Sequence, residues 1–290
     1  MALQADVLAD RDPEPLHQMR VSFRRLRSTL DQFAPALQLP EAVDLRRIAR
    51  IGRRLGLTRD LDVLRQRLDQ QLLPRLAERE IQQLRPLFKQ LRRERRLAFE
   101  ELGETLQGRR YLRLLSQLQE WIRTPQATPL GEQPLQVWRA ELMQAALLDL
   151  TVLPGWWVGS PDAAADGAAL HQLRRRIKRA RYGLANLEPL EPERIGPWVM
   201  RFRRMQELLG DLNDLQLIDA ALERKLDGRP DQLVPGLCSV MAELRARSWQ
   251  AWRLMAQELQ RPEQRSALHR LSGDAAEPGR EAAAAGLDAT

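Results

Sequence analysis

Cysteine is nearly absent from this chain of 290 residues, since Cys238 is the only one. An intramolecular disulfide framework is therefore excluded, and beside Leu237 and Val240 the thiol reads as a small buried residue of a reducing compartment. Histidine occurs only three times, without a clustering that could bind zinc. No run of eighteen apolar residues exists, which argues against a transmembrane helix. The first thirty residues hold acids and arginines where a secretion signal would hold an apolar core, so a cytoplasmic location is expected. A glycine-rich phosphate loop and a nucleophile elbow are missing too.

Positive charge is what the chain has in excess. Lysine and arginine number 46 against 39 acids, a net charge of +7 with a pI near 10.5. That balance favours a polyanionic partner such as nucleic acid, inorganic polyphosphate or an anionic membrane, without choosing among them. The length allows one large domain or two of ordinary size.

Helical periodicity runs through nearly every segment. Pro13 and Pro15 open the first helix, and Leu16, Met19, Phe23, Leu26, Leu30 and Phe33 recur three or four apart as its core stripe. Pro35 and Pro40 bracket its end. A second helix is expected over 41–57, broken by Gly56, and a third is expected to start at Asp60 acting as its cap. A fourth spans 87–106, and four helices with short connections outline an antiparallel bundle.

A stretch of this pattern occurs twice. His17-Gln18-Met19-Arg20 returns as His171-Gln172-Leu173-Arg174, 154 positions later (171 − 17). The same offset relates Leu26 to Ala180, Leu30 to Leu184, Leu55-Gly56 to Leu209-Gly210, and Asp60-Leu61 to Asp214-Leu215. A constant offset over this length reads as duplication of a four-helix unit. The expected organisation is a first bundle over 13–107, connecting helices and loops over 108–166, a second bundle over 167–261 and a disordered tail over 262–290. The connecting segment carries two helical candidates, 110–122 and 133–150. The Trp156-Trp157 pair is expected to pack against a bundle. The tail is read from its alanine, glycine and acid content.

Each copy opens on a basic helix face with no acid in it. On a helix advancing about 100° per residue, His17, Arg20, Arg24 and Arg27 fall within about 80° of one another. His171, Arg174, Lys178 and Arg181 take the same angles in the second copy. Like charges at these spacings repel by roughly 0.2–0.5 kcal/mol per pair. A face serving only solubility would mix both signs, so an external anion is expected to supply the missing charge. Arginine outnumbers lysine on these faces, and its planar fork suits phosphate oxygens. The second helices extend the pattern through Arg46, Arg47, Arg50, Arg53 and Arg54, answered by Arg201, Arg203 and Arg204.

The residues leave two other chemistries open. Arginine density alone permits a nucleic-acid-binding helical module, although no stacking aromatics lie among the basic helices. Asp60 and Asp214 could serve a metal-dependent phosphohydrolase, although a helix cap or a salt bridge is their ordinary role. No serine, cysteine or threonine nucleophile recurs beside the histidines, and arginine neighbours make a hostile field for a metal cation.

The residues His17-Gln18-Met19-Arg20-Val21 with Arg24-Arg25-Leu26-Arg27, and Leu55-Gly56 followed by Arg59-Asp60-Leu61-Asp62, resemble the CHAD family, named for a conserved histidine in an α-helical domain. The second half is similar through His171-Gln172-Leu173-Arg174 with Lys178-Arg179-Ala180-Arg181, then Leu209-Gly210-Asp211-Leu212-Asn213-Asp214. The resemblance covers about residues 13–260 and implies an all-α fold of two four-helix bundles related by a pseudo-twofold axis, with extra helices between them and a basic central cavity or pore. It implies binding of inorganic polyphosphate and an association with polyphosphate granules; on the residues themselves, no catalysis, cofactor or metal is expected. The binding residues it implies are His17, Arg20, Arg24, Arg25 and Arg27, then His171, Arg174, Lys178, Arg179 and Arg181. The second helices add Arg47, Arg50, Arg54, Arg201 and Arg204. Glu207 and Leu208 stand opposite Arg53 and Arg54, so the two half-sites are expected to differ.

Overall fold

A computed structural model describes residues 2–161, 164–226 and 229–273. Among the described residues the fold is all-α, without a β-sheet. The helices are α1 (Ala2–Ala9), α2 (Pro13–Gln32), α3 (Leu45–Arg67), α4 (Glu78–Gln83), α5 (Arg85–Gln107), α6 (Arg109–Arg123), α7 (Leu135–Leu147), α8 (Ala164–Leu187), α9 (Pro192–Lys225), α10 (Pro230–Leu233), α11 (Pro235–Leu259) and α12 (Pro262–Gly273). None is long and apolar enough to cross a membrane.

Local chemistry sets the ends of the first two long helices. The Asp12 carboxylate accepts the Glu14 amide at 2.8 Å, and Pro13 and Pro15 occupy the first turn of α2, where amides lack helical partners. Asp44 does the same for α3, accepting from the Arg46 amide at 3.0 Å. Leu16, Met19, Phe23 and Leu30 of α2 are buried, as their spacing predicts.

Gly56 does not break the chain. The helices expected over 41–57 and from Asp60 onward are one helix, α3, and their counterparts in the second half merge into α9. Asp60 therefore lies within a helix and caps nothing. A lone glycine costs a helix only about 1 kcal/mol relative to alanine, which burial of Ile48, Ile51 and Leu55 outweighs. Arg20 rests against this point of α3, since a Cβ on Gly56 would lie 3.5 Å from the Arg20 Nε, an ordinary van der Waals contact.

Apolar side chains gather in three clusters. One joins α1, α2, α3, α5 and α6 around Leu55, Leu102, Leu106 and Leu114. Another joins α7, α8, α9, α11 and α12 around Leu173, Ile177, Phe202 and Trp252. The third is shared, setting Leu68, Leu84 and Leu87 against Leu215, Ile218, Leu222 and Leu237.

Three expected boundaries are corrected by these clusters. Helix α6, expected as part of a connecting segment, buries Tyr111 and Leu114 in the first cluster. Residues 262–273, expected as tail, form α12, because Leu268 and Leu271 lie three apart on one helical face and are buried. The remainder of that expected tail, 274–290, lies outside the described residues. Helix α1 precedes residue 13 and seals its cluster with Val7. Of the tryptophan pair, Trp156 packs as expected, stacked on Trp252 with ring centroids 5.5 Å apart, whereas Trp157 is exposed.

Helices α2 and α8 meet side by side. Thr29 Oγ1 donates to Asn186 Oδ1 at 3.0 Å, Asn186 Nδ2 donates to Gln32 Oε1 at 2.7 Å, and Gln32 Nε2 donates to the Gly183 carbonyl at 3.1 Å. These contacts follow the sequence offset: Gln32 meets Asn186 (186 − 32 = 154), and Thr29 stands to Gly183 in the same relation (183 − 29 = 154). Gly183 also lets α7 approach, since a Cβ there would lie 2.7 Å from the Ala146 Cβ.

Candidate anion-binding site

Beside the α2–α8 contact lies a cleft of about 350 Å³ walled by α2, α3 and α8. Arg20, Arg24 and Arg27 enter it from α2, Arg53 from α3 and Lys178 from α8, over a floor that includes Phe23, Ile48 and Gly56. The apolar stripes of α2 and α8 are buried in separate clusters, so both helices turn their adjoining basic sectors toward this gap.

Positive charge in and around the cleft is poorly compensated. Arg20 Nη2 is 3.0 Å from Asp60 Oδ1, an ion pair whose carboxylate is largely exposed. The Nε atoms of Arg20, Arg24, Arg59, Arg174 and Arg181 are buried without a hydrogen-bond partner. Burial lowers the Arg24 pKa, and Arg20 and Arg181 push it the same way against an opposing effect of Tyr182. Lys178 is pushed down to about 7, first by burial and then by Arg24, Arg20 and Arg174, with Asp60 opposing. Arg24 and Lys178 stand 154 apart in sequence (178 − 24) and face the same space. A group of cations held this close with one nearby carboxylate is built to receive negative charge.

Tyr182, which the sequence reading passed over, lies between two of these cations. Arg24 lies 5.0 Å and Arg181 4.4 Å from its ring centroid. The ring holds both guanidiniums in place without neutralising them. Its signal was available: Tyr182 follows Lys178 by four positions, on the same helical flank. In the sequence Arg53 reads as part of a basic run, and Arg59 as part of the family resemblance.

The two histidines occupy equivalent helix positions in unlike surroundings. His17 is half-buried, and burial together with Arg59, Arg24 and Arg20 lowers its pKa against the pull of Glu14, leaving a neutral ring at neutral pH. His171 is exposed and lines a second cavity, of about 370 Å³, with Arg174, Asn213, Gln216, Asp219 and Arg245. Arg174 thus faces this cavity while acting electrostatically on Lys178 of the cleft.

The remaining expected binders are dispersed. Arg25 and Arg179 are exposed on α2 and α8, the latter 3.8 Å from Asp31. Arg47, Arg50 and Arg54 line a different cavity on the opposite flank of α3. Arg201 donates to Gln264 at 2.6 Å, pairs with Glu258 and packs over Trp198, fastening α9 to α11 and α12. Arg204 pairs with Glu207 at 3.4 Å on the surface.

Both candidate acids are engaged with arginine. Asp60 holds Arg20, and Asp214 lies 3.8 Å from Arg67. Burial raises the Asp214 pKa, while Arg67 and Arg174 hold it down. No group of three His, Cys, Asp or Glu side chains able to hold a metal ion occurs among the described residues.

The fold is an all-helical domain with paired basic helices around a cleft whose positive charge is only partly compensated. The CHAD domain profile matches residues 2–223, and the chain belongs to that family, whose members are non-catalytic binding modules. The crystal structure of the CHAD domain from the plant Ricinus communis is similar at 28% identity, covering 92% of this chain and 86% of the other with a TM-score of 0.59. PptA from Streptomyces chartreusis shares the fold at 20% identity, covering 88% of this chain and 95% of the other with a TM-score of 0.61. No curated protein shows significant sequence similarity to the chain.

Proposed function

We propose that the chain binds inorganic polyphosphate in the cleft between α2, α3 and α8. Arg20, Arg24, Arg27 and Lys178 are the inner contacts, with Arg174, Arg181, His17 and His171 at the margins. The observation carrying this reading is the convergence of Arg24 and Lys178, with their basic neighbours, on one space where Asp60 is the only lining acid among the described residues. A linear polyanion of repeating phosphate groups matches such a row better than a compact monoanion, because each added phosphate meets another cation at high effective concentration. Arg25 and Arg179 continue the two faces outward, where a longer chain would reach them.

In this proposal the fold is a duplication. Helices α2, α3, α5 and α6 form one four-helix unit and α8, α9, α11 and α12 the other, related by a pseudo-twofold axis passing between Gln32 and Asn186. Adding 154 to the bounds of α2 gives 167–186, inside α8, and adding it to those of α3 gives 199–221, inside α9. No chemistry is assigned, since Asp60 and Asp214 serve as partners of arginines. The proposed setting is the cytoplasm, at polyphosphate granules.

Titration with long-chain polyphosphate and with tripolyphosphate, at two salt concentrations, tests the function. Long chains should bind much more tightly per chain, with an affinity that falls steeply as salt rises. Arg24→Glu combined with Lys178→Glu should remove most of that preference. Equal affinity for long and short chains in the wild-type protein, or tighter binding of single-stranded RNA at the same salt, would overturn it.

A further inference from the structure

On the flank of α3 facing away from the cleft lies a cavity of about 520 Å³. Arg47, Arg50 and Arg54 line it from α3, and Arg109 and Arg110 line it from the first turn of α6. At about 100° per residue, the centre of the α3 row 47–50–54 lies roughly 120° from that of the cleft row 49–53–56–60. The wall between the two cavities is packed. Phe23, at the cleft floor, stacks on Tyr111, at the far cavity, with ring centroids 6.2 Å apart. These are two separate basic sites.

We propose that this far flank is a second anion-binding site, for a compact oligophosphate carrying several negative charges. The five arginines meet two acids: Glu104 at the cavity wall and Glu101, which pairs with Arg54. Three guanidinium charges are therefore in surplus (5 − 2). Arg47 Nη1 donates to the Ala42 carbonyl at 3.0 Å, which fixes one guanidinium at the rim before any ligand arrives. Arg109 and Arg110 occupy the positive end of the α6 dipole, where cations are disfavoured. Gly108 offers no capping side chain, and no acid lies in that first turn. An anion seated among the five arginines would relieve this arrangement from both walls, and two guanidinium forks suit a ligand with several phosphate oxygens. The site does not depend on what the cleft binds.

The test is calorimetric titration of the full chain with inorganic tripolyphosphate at low salt, orthophosphate serving as comparison. In the Arg24→Glu/Lys178→Glu protein, whose cleft is disabled, one tripolyphosphate per chain should still bind, at least tenfold more tightly than orthophosphate. Adding Arg50→Glu and Arg110→Glu should weaken that binding at least tenfold. Both arginines are exposed, so the thermal melt should stay close to that of the parent. Absence of saturable tripolyphosphate binding in the cleft-disabled protein, or binding unmoved by the far-flank changes, would overturn the proposal. The cleft reading fails separately, if Arg50→Glu/Arg110→Glu alone abolishes long-chain binding.

Discussion

Lys178 should make polyphosphate binding depend on pH in the physiological range. Its pKa is pushed down to about 7 by burial and by Arg24, Arg20 and Arg174 on α2 and α8, against the pull of Asp60 on α3. A bound polyanion adds negative charge beside the amine and returns its pKa toward the ordinary lysine range. The ligand then favours the protonated form, so affinity holds below pH 7 and falls as pH rises above it. The limiting slope is about tenfold per pH unit, or about 1.4 kcal/mol, until pH reaches the pKa of the bound state. Near pH 8 binding should take up close to one proton per chain, measurable from the dependence of calorimetric enthalpy on buffer ionisation. Lys178→Arg keeps the charge but does not titrate there, so it should bind at pH 8.5 nearly as well as at pH 6.5. For the unliganded protein the sign is opposite. A depressed lysine pKa leaves the unfolded chain holding the extra proton above pH 7, so this group makes the fold more stable as pH rises from 7 toward 9. A Lys178→Arg protein with the wild-type slope, or proton uptake near zero at pH 8, would refute the reasoning.

Two further outcomes follow from the same geometry. Asp60→Asn removes a carboxylate from the cleft lining and frees Arg20, so polyphosphate should bind a few-fold more tightly; melting should show a stability loss of at most about 1 kcal/mol, the range for an exposed ion pair. A chain ending at Arg261 loses α12 and the burial of Leu268 and Leu271, each worth roughly 1.5–3 kcal/mol; its melting temperature should drop by many degrees.

The basic helices were legible in the sequence because two independent constraints wrote them. The core stripe fixes which way α2 and α8 face, so the angular position of Arg20, Arg24 and Arg27 follows from Met19, Phe23 and Leu30. The repeat then supplies Lys178 as the counterpart of Arg24. The long rods were not legible, because Gly56 followed by Asp60 is also how a helix ends and restarts. Only the uninterrupted run of α3 from Leu45 to Arg67 distinguishes a glycine inside a rod from a break. The flank of α3 was likewise hidden. Arg46, Arg47, Arg50, Arg53 and Arg54 read as one basic run until α6 is known to pack beside three of them. Helix α12 was missed because composition averaged over 262–290 dilutes two leucines that one neighbouring core needs.

The cleft also poses a mechanical problem. Arg20, Arg24, Arg27, Arg174, Lys178 and Arg181 gather at one junction, and their mutual repulsion acts to separate α2 from α8. Opposing it are the Thr29, Gln32, Gly183 and Asn186 hydrogen bonds between the two helices. The apolar cluster shared by α3, α5, α9 and α11 resists it as well. Arg67 adds a tie that the repeat does not mirror, pairing with Asp211 and Asp214 of α9 while Ala221 holds the equivalent position (221 − 67 = 154). A bound polyanion removes the repulsion these ties resist. Ligand binding and fold stability are therefore linked through the cleft, and the stabilisation on binding reports relief of that repulsion as well as the new phosphate contacts.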